Sequence, residues 1–428
     1  MTAQNYFNST QFISGESIPS MFAKLELPDN SSTNSSLTQR FFREQFFKLL
    51  RSIKQGYIQI NDPFGSSTFG DKKSDLSCSV TIYDVATYTK IALGGSNGSG
   101  QAYIDGLWSS DNPTALIRIL VRNRNVLDSM ESGLSRLAQI TLKGWHALNR
   151  NSKDGSRKNI AAHYDLGNDF FRLFLDKRMM YSSGLYHAGD DLETASLRKL
   201  ERICSTLKLS KHDHVIEIGS GWGGFSCYAA KTTGCKVTTV TISKEQFDEA
   251  SKQVKQQGLE KQVAVKLQDY RDIQGTFDKL VSIEMIEAVG HQYLDRYFNK
   301  INTLLKPKGK ALLQAIVIDD AQYKRALKEV DYIKRYIFPG SFIPCYGVIS
   351  QTAGNNKLMI EDLHDMGASY AQTLRDWRKR FYENNQQIKD QGYDDHFQRM
   401  WEFYLCYCEG GFDEQAISVG QILFRKQA

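Results

Sequence analysis

Two short stretches hold residues whose types and spacing could do chemistry. The first, VIEIGSGWGG, sets Glu217 two positions before Gly219, with Gly221 and Gly223 close behind. A glycine-rich turn after a buried strand lets backbone N–H groups and a helix N-terminus come close to a ligand. The second, VSIEMIEAVG, sets Glu284 and Glu287 in an otherwise apolar run. A carboxylate in such a run invites a partner, because burying it alone is expensive.

Two ligand classes compete for the glycine turn. Gly219 to Gly224 fits the dinucleotide string G-x-G-x-x-G, which by itself is weak evidence. A dinucleotide site also wants an acid at the tip of the second strand, and VTTVTIS ends in Ser-Lys-Glu-Gln instead. E-x-G-x-G is the S-adenosylmethionine form of the loop, whose backbone meets the amino-acid end of the cofactor. Gln246 and the run Gln268-Asp269-Tyr270 would then meet adenosine. The loop alone favours methyl transfer, with a dinucleotide as the second reading.

The elements that must position these residues follow from pattern and length. At 428 residues the chain suggests two domains. VIEIG, CKVTTVTIS, VAVKLQD, FDKLVSIEM and KALLQAIVI alternate with helical stretches, which argues an α/β fold with a doubly wound parallel sheet. Ahead of it lies a smaller α+β domain, residues 1–140, whose first 30 or so residues are polar and expected to be loosely ordered. A helix is expected over 37–54, strands at 57–60, 80–83 and 88–93, turns at DPFGSS and GGSNGSG, and mostly helix over 112–149. Residues 141–158 read as a basic linker and 159–428 as the catalytic domain.

Composition narrows the setting. No run nears the roughly 18 apolar residues needed to span a bilayer, and the first residues do not read as a signal peptide. The seven cysteines form no metal-ligating spacing, so a reduced, cytoplasmic chain without a metal site is expected. Net charge is +6, much of it in KGWHALNRNSKDGSRK, where Lys143, Arg150, Lys153, Arg157 and Lys158 face the single acid Asp154. Such a segment is either a solvated linker or a contact for an anionic surface. No nucleic-acid motif accompanies it, so a membrane surface is the better partner and nucleic acid is not expected.

NIAAHYDLGNDFFRLFLDKRMMYSSGLY, QDYRD, SIEMIEAVGHQYLDRYF, RYIFPG, MGASYAQTLRDW and FYLCYCEGGF together resemble the cyclopropane fatty-acyl-phospholipid synthase family, from about residue 159 to the C-terminus. The resemblance implies a Rossmann-like class I methyltransferase domain and transfer of a carbon from S-adenosylmethionine to the cis double bond of an unsaturated phospholipid acyl chain. It also implies bicarbonate as the base, peripheral action at the inner face of the membrane, and a homodimer as one assembly. Tyr181, Ser182, Glu217, Gly219, Gly221, Gly223, Thr241, Ile242, Gln246, Asp269 and Tyr270 are then expected at the cofactor. Glu287, Tyr370, Tyr164 and Ile316 are expected around the base. The alternative is that Tyr164 and Tyr370 are core tyrosines and Asp269 a helix cap.

Three positions depart from the family pattern. Ser183 stands where cysteine is usual, Gln314 where histidine is usual, and Glu284 where glycine is common. The Ser183 N–H and the Gln314 amide could still donate to a bicarbonate. Glu284 either sits at a strand end or replaces that ion as a base. A cyclopropane product is expected, with a methyl-branched unsaturated chain as the alternative. A small-molecule methyltransferase and a non-catalytic lipid-binding protein are the weaker readings.

Overall fold

The computed structural model describes residues 18–23, 36–130 and 166–427. The N-terminal part is a four-stranded sheet in the order β2-β1-β3-β4. It comprises β1 (Tyr57–Asp62), β2 (Gly65–Gly70), β3 (Ser77–Ile82) and β4 (Trp108–Ser110). β1 buries alternate residues, Ile58, Ile60 and Asp62, as a half-covered strand should. Asp62 can be buried because Arg43 donates to it at 2.6 Å and the Tyr88 hydroxyl at 2.6 Å. Arg43 comes from the helix Leu37–Leu50, capped by Ser36 and Gln39.

One expectation is overturned here. Residues 88–93 are not a strand, and GGSNGSG is not a turn: both lie in the helix Ala86–Ile104, kinked at Gly95. The glycines serve close packing. A Cβ on Gly98 would sit 1.9 Å from the Lys90 carbonyl oxygen, and one on Gly100 would strike the Tyr332 ring at 2.6 Å. The helical reading over 112–149 meets the helices Pro113–Arg122 and Arg124–Met130; the remainder, with the basic segment, lies outside the described residues.

The second sheet has seven strands in the order β10-β11-β9-β8-β5-β6-β7. These are β5 (His214–Ile218), β6 (Lys236–Thr241), β7 (Val263–Leu267), β8 (Phe277–Ile283), β9 (Leu305–Ile318), β10 (Leu358–Asp365) and β11 (Ile417–Lys426). β7, β6, β5, β8 and β9 are parallel; β11 runs antiparallel to β9, and β10 to β11. Chain order reverses between β5 and β8, and the crevice at such a switch point is where ligands bind in open α/β sheets.

The two sheets share packing across a common core. The Tyr103 hydroxyl donates at 2.6 Å to Glu402, on the C-terminal helix Asp395–Asp413. Glu414 accepts from Arg118 at 2.7 Å and from Arg122 at 2.8 Å, and Asn97 donates to the Val330 carbonyl at 2.6 Å. Residues placed in a separate domain by composition are thus joined to the catalytic fold by buried or half-buried polar contacts. Among the described residues no helix is long and apolar enough to cross a membrane.

Candidate active site

A cavity of about 550 Å³ opens at the carboxyl ends of β5, β6 and β8. Its cofactor end is set by local sequence. Gly219 and Gly221 have φ of 91° and 46°, conformations that side chains resist. The Gly219 and Ser220 N–H groups both donate to the Val240 carbonyl, which ties the loop to β6. A Cβ on Gly221 would meet nothing within 4 Å: the space beside it is open and belongs to the cavity. Gly223 lies outside that lining. It precedes the helix Gly224–Thr233 at φ 91°, and a Cβ there would meet Ala250 at 3.3 Å, so its smallness serves packing.

Glu217 is buried and accepts from the Ser226 hydroxyl; burial pushes its carboxyl up to about 7. Thr241 donates to Gln246 at 2.8 Å. Asp269 accepts three bonds from Arg271, at 2.9, 2.8 and 2.6 Å, and so caps its own short turn while also lining the cavity. Tyr181, Ser182, Ile242 and Tyr270 line the same space. Open room at Gly221, a backbone turn at the switch point and polar groups at the far edge fit the amino-acid and adenosine ends of S-adenosylmethionine.

The end around Glu284 and Glu287 is built from distant pieces. Glu284 follows β8 at φ 47°, a left-handed conformation that costs a non-glycine residue energy. Its backbone N–H donates to the Gln314 carbonyl at 2.7 Å. Its Oε1 accepts from the Ser183 N–H at 2.9 Å and from Gln314 Nε2 at 2.7 Å, and its Oε2 from the Tyr370 hydroxyl at 2.8 Å. Gln421 fixes the Gln314 amide by donating to its oxygen at 3.1 Å. The donors expected to hold a bicarbonate, Ser183 and Gln314, therefore serve Glu284, and neither residue lines the cavity.

Glu287 differs. Its Oε1 accepts the Ile316 N–H at 2.6 Å, while its buried Oε2 has no partner among the described residues. Burial, with the Glu284 charge beside it, pushes its carboxyl up to about 8, so it is largely protonated at neutral pH. Burial raises Glu284 too, but the three donors and a lysine oppose that rise. Of the pair, Glu284 is the better anion. Tyr370 is kept protonated by burial and by Glu284, which suits a donor. Tyr164 lies outside the described residues.

That lysine, Lys199, was missed from the sequence. It is fully buried on the helix Leu192–Leu207, donates to Ser182 Oγ at 2.7 Å, and is lowered to about 8 by burial against the pull of Glu284 and Asp176. The signal was present: it stands on the stripe Leu192, Ala195, Lys199, Ile203, a cation at an apolar helical position. Aromatic rings complete the walls. Tyr181 meets Phe171 at 5.2 Å and Trp377 at 5.3 Å, and its hydroxyl lies 3.0 Å from that of Tyr404.

Comparison with known proteins agrees with this geometry. The family model described as mycolic acid cyclopropane synthetase matches residues 151–422. The chain belongs to that family. Among relatives, the tuberculostearic acid methyltransferase UfaA1 of Mycobacterium tuberculosis is 36% identical over 341 residues, 78% of this chain and 79% of its own. The cyclopropane-fatty-acyl-phospholipid synthase of Escherichia coli K12 is also 36% identical, covering 79% of this chain and 85% of its own. Among solved structures, the cyclopropane synthase MmaA2 of M. tuberculosis matches with a TM-score of 0.59 and 26% identity over 63% of this chain and 98% of its own. The mycolic acid cyclopropane synthase CmaA1, solved with SAH and CTAB, gives 0.59 and 27% over the same shares. Family and fold agree: the chain is an S-adenosylmethionine-dependent methyltransferase of class I architecture.

Proposed function

We propose that the enzyme adds a carbon from S-adenosylmethionine to the cis double bond of an unsaturated phospholipid acyl chain, with Glu284 as the base. When bound, the cofactor supplies an electrophilic methyl group. Gly219, Gly221, Thr241, Gln246 and Asp269 would hold it, and Glu217 would stand by its amino-acid end. An alkene is a weak nucleophile, so the walls must exclude water and align the reacting carbons. Tyr181, Phe338 and Tyr404 line the cavity and offer ring faces to the carbocation that carbon–carbon bond formation leaves on the chain. One proton must then leave. Glu284 Oε2, already bonded to Tyr370, can accept it; Glu287, carrying its own proton at neutral pH, cannot do so as readily.

The observation that carries this reading is the pairing of Glu284 with Ser183, Gln314 and Tyr370. A carboxylate held by those donors performs the role expected of bicarbonate, so the reaction should proceed without that ion. Loss of a proton from the new methyl group closes a cyclopropane ring, which is the first reading. Loss of a chain proton leaves a methyl-branched alkene, the second reading. Proton NMR of the extracted fatty esters separates the isomers, since ring protons resonate far upfield and the branched product keeps a vinylic signal. Labelled methyl that reaches no lipid would overturn both readings.

With no spanning helix among the described residues, access to acyl chains calls for reversible docking on anionic bilayers. The N-terminal domain and the basic segment around 143–158 would provide it, with binding that weakens as salt rises.

A further inference from the structure

The cavity is not confined to the methyltransferase fold. Ile117, Leu120 and Val121, from the helix Pro113–Arg122, and Leu127, from the helix Arg124–Met130, form part of its wall. All precede residue 151, where the family match begins. Their spacing of three and four turns one apolar face toward the cavity. Opposite stands the C-terminal helix, and a Cβ on its Gly410 would meet Ile117 at 2.9 Å, so the two helices touch closely.

The character of the wall changes along its length. Next to the apolar stretch, Arg124 and Asp128 are exposed, Asp128 pairs with Arg325 at 2.5 Å, and Arg325 with Glu329 at 2.7 Å. An acyl chain can lie along the apolar part, whereas a zwitterionic or anionic headgroup belongs with the charged, solvated rim. The wall itself is held in place, because Arg118 and Arg122 both bond Glu414.

We propose that this N-terminal wall is a specificity-determining surface. It grips the stretch of acyl chain between ester and double bond, and thereby sets which double-bond position reaches Glu284. The inference rests on the lipid reading above and goes beyond it by giving the N-terminal domain a share in substrate choice as well as in docking.

The test is competition between two phosphatidylglycerol vesicle lipids whose cis double bonds lie two carbons apart, counted from the ester. The ratio of methylated products is read by mass spectrometry for wild type, Leu120→Trp and Leu120→Ala. Adding or removing side-chain volume in an apolar pocket changes selection by about tenfold or more. The ratio should shift by about that much in the alanine variant, with S-adenosylmethionine binding by calorimetry unchanged; the tryptophan variant should shift it further or lose both substrates. The alanine variant guards against the bulkier one failing to fold. A wild-type ratio in Leu120→Ala, with lipid still methylated, overturns the proposal and leaves the lipid reading standing. Wild-type enzyme that binds the cofactor but methylates neither lipid overturns both.

Discussion

At the cofactor end of the cavity each polar group is settled by a neighbour in the chain: Glu217 by Ser226, Thr241 by Gln246, and Asp269 by Arg271, two residues on. At the reacting end Glu284 takes its donors from Ser183, Gln314 and Tyr370, which are 101, 30 and 86 positions away. One end is a backbone shape imposed by glycines and a strand. The other is an electrostatic arrangement that exists only once distant elements have packed. Damage to the first should therefore appear as lost binding, and damage to the second as lost turnover with binding intact.

The sharpest test of that division is Glu284→Gln. An amide keeps the volume but cannot accept the proton, so turnover should fall by about 10²–10⁴-fold. Calorimetric affinity for S-adenosylmethionine should stay near wild type. Rescue by added bicarbonate would show that the ion can take the same donors, and undiminished turnover would pass the role of base to Glu287, directly or through bicarbonate. The opposite failure is expected of Gly221→Ile. A β-branched residue at φ 46°, with its side chain in the open space of the loop, should weaken cofactor binding by about 10²-fold or more. Retained affinity there would place the cofactor elsewhere.

The same contrast explains what could be read in advance. The parallel sheet and the glycine turn were legible, because buried strands and positive-φ glycines leave local marks. Residues 88–93 were misread as a strand: Thr and Tyr favour strands locally, and nothing nearby reveals that Gly98 and Gly100 are packing sites inside a helix. The departures at Ser183, Glu284 and Gln314 were each visible, yet not that they converge on one carboxylate. Lys199 left a mark as a cation on an apolar stripe, but its pairing with Glu284, like the wall from Ile117 to Leu127, needed the fold, since its meaning lies in what stands opposite.

Lys199→Met sharpens the electrostatic half. The methionine keeps the apolar stem and removes the cation that supports the ionised form of Glu284. The acid limb of the pH–kcat profile should move to higher pH, with turnover at neutral pH lower by about tenfold. A merely structural lysine would lower stability and leave the limb where it is. Lys199→Arg, which keeps a charge, should leave the limb closer to its wild-type position.

The smallest expected effect concerns Glu287 and is read in stability. Its folded value is near 8, above the ordinary 4.5, because burial and the neighbouring Glu284 disfavour its charge. Between those values the folded chain binds a proton that the unfolded chain has released, so its contribution to stability falls as pH rises. The contribution is complete below the unfolded value and is lost through the window up to about 8, at roughly 1 kcal/mol between pH 6 and 7. Glu287→Gln keeps an acceptor for the Ile316 N–H and has no proton to lose. Denaturant midpoints measured across that interval should decline less steeply in the variant than in wild type, with the two curves converging toward acid. Parallel curves would mean that Glu287 is ionised in the folded enzyme. The division between a neutral Glu287 and an anionic Glu284 would then have to be reversed.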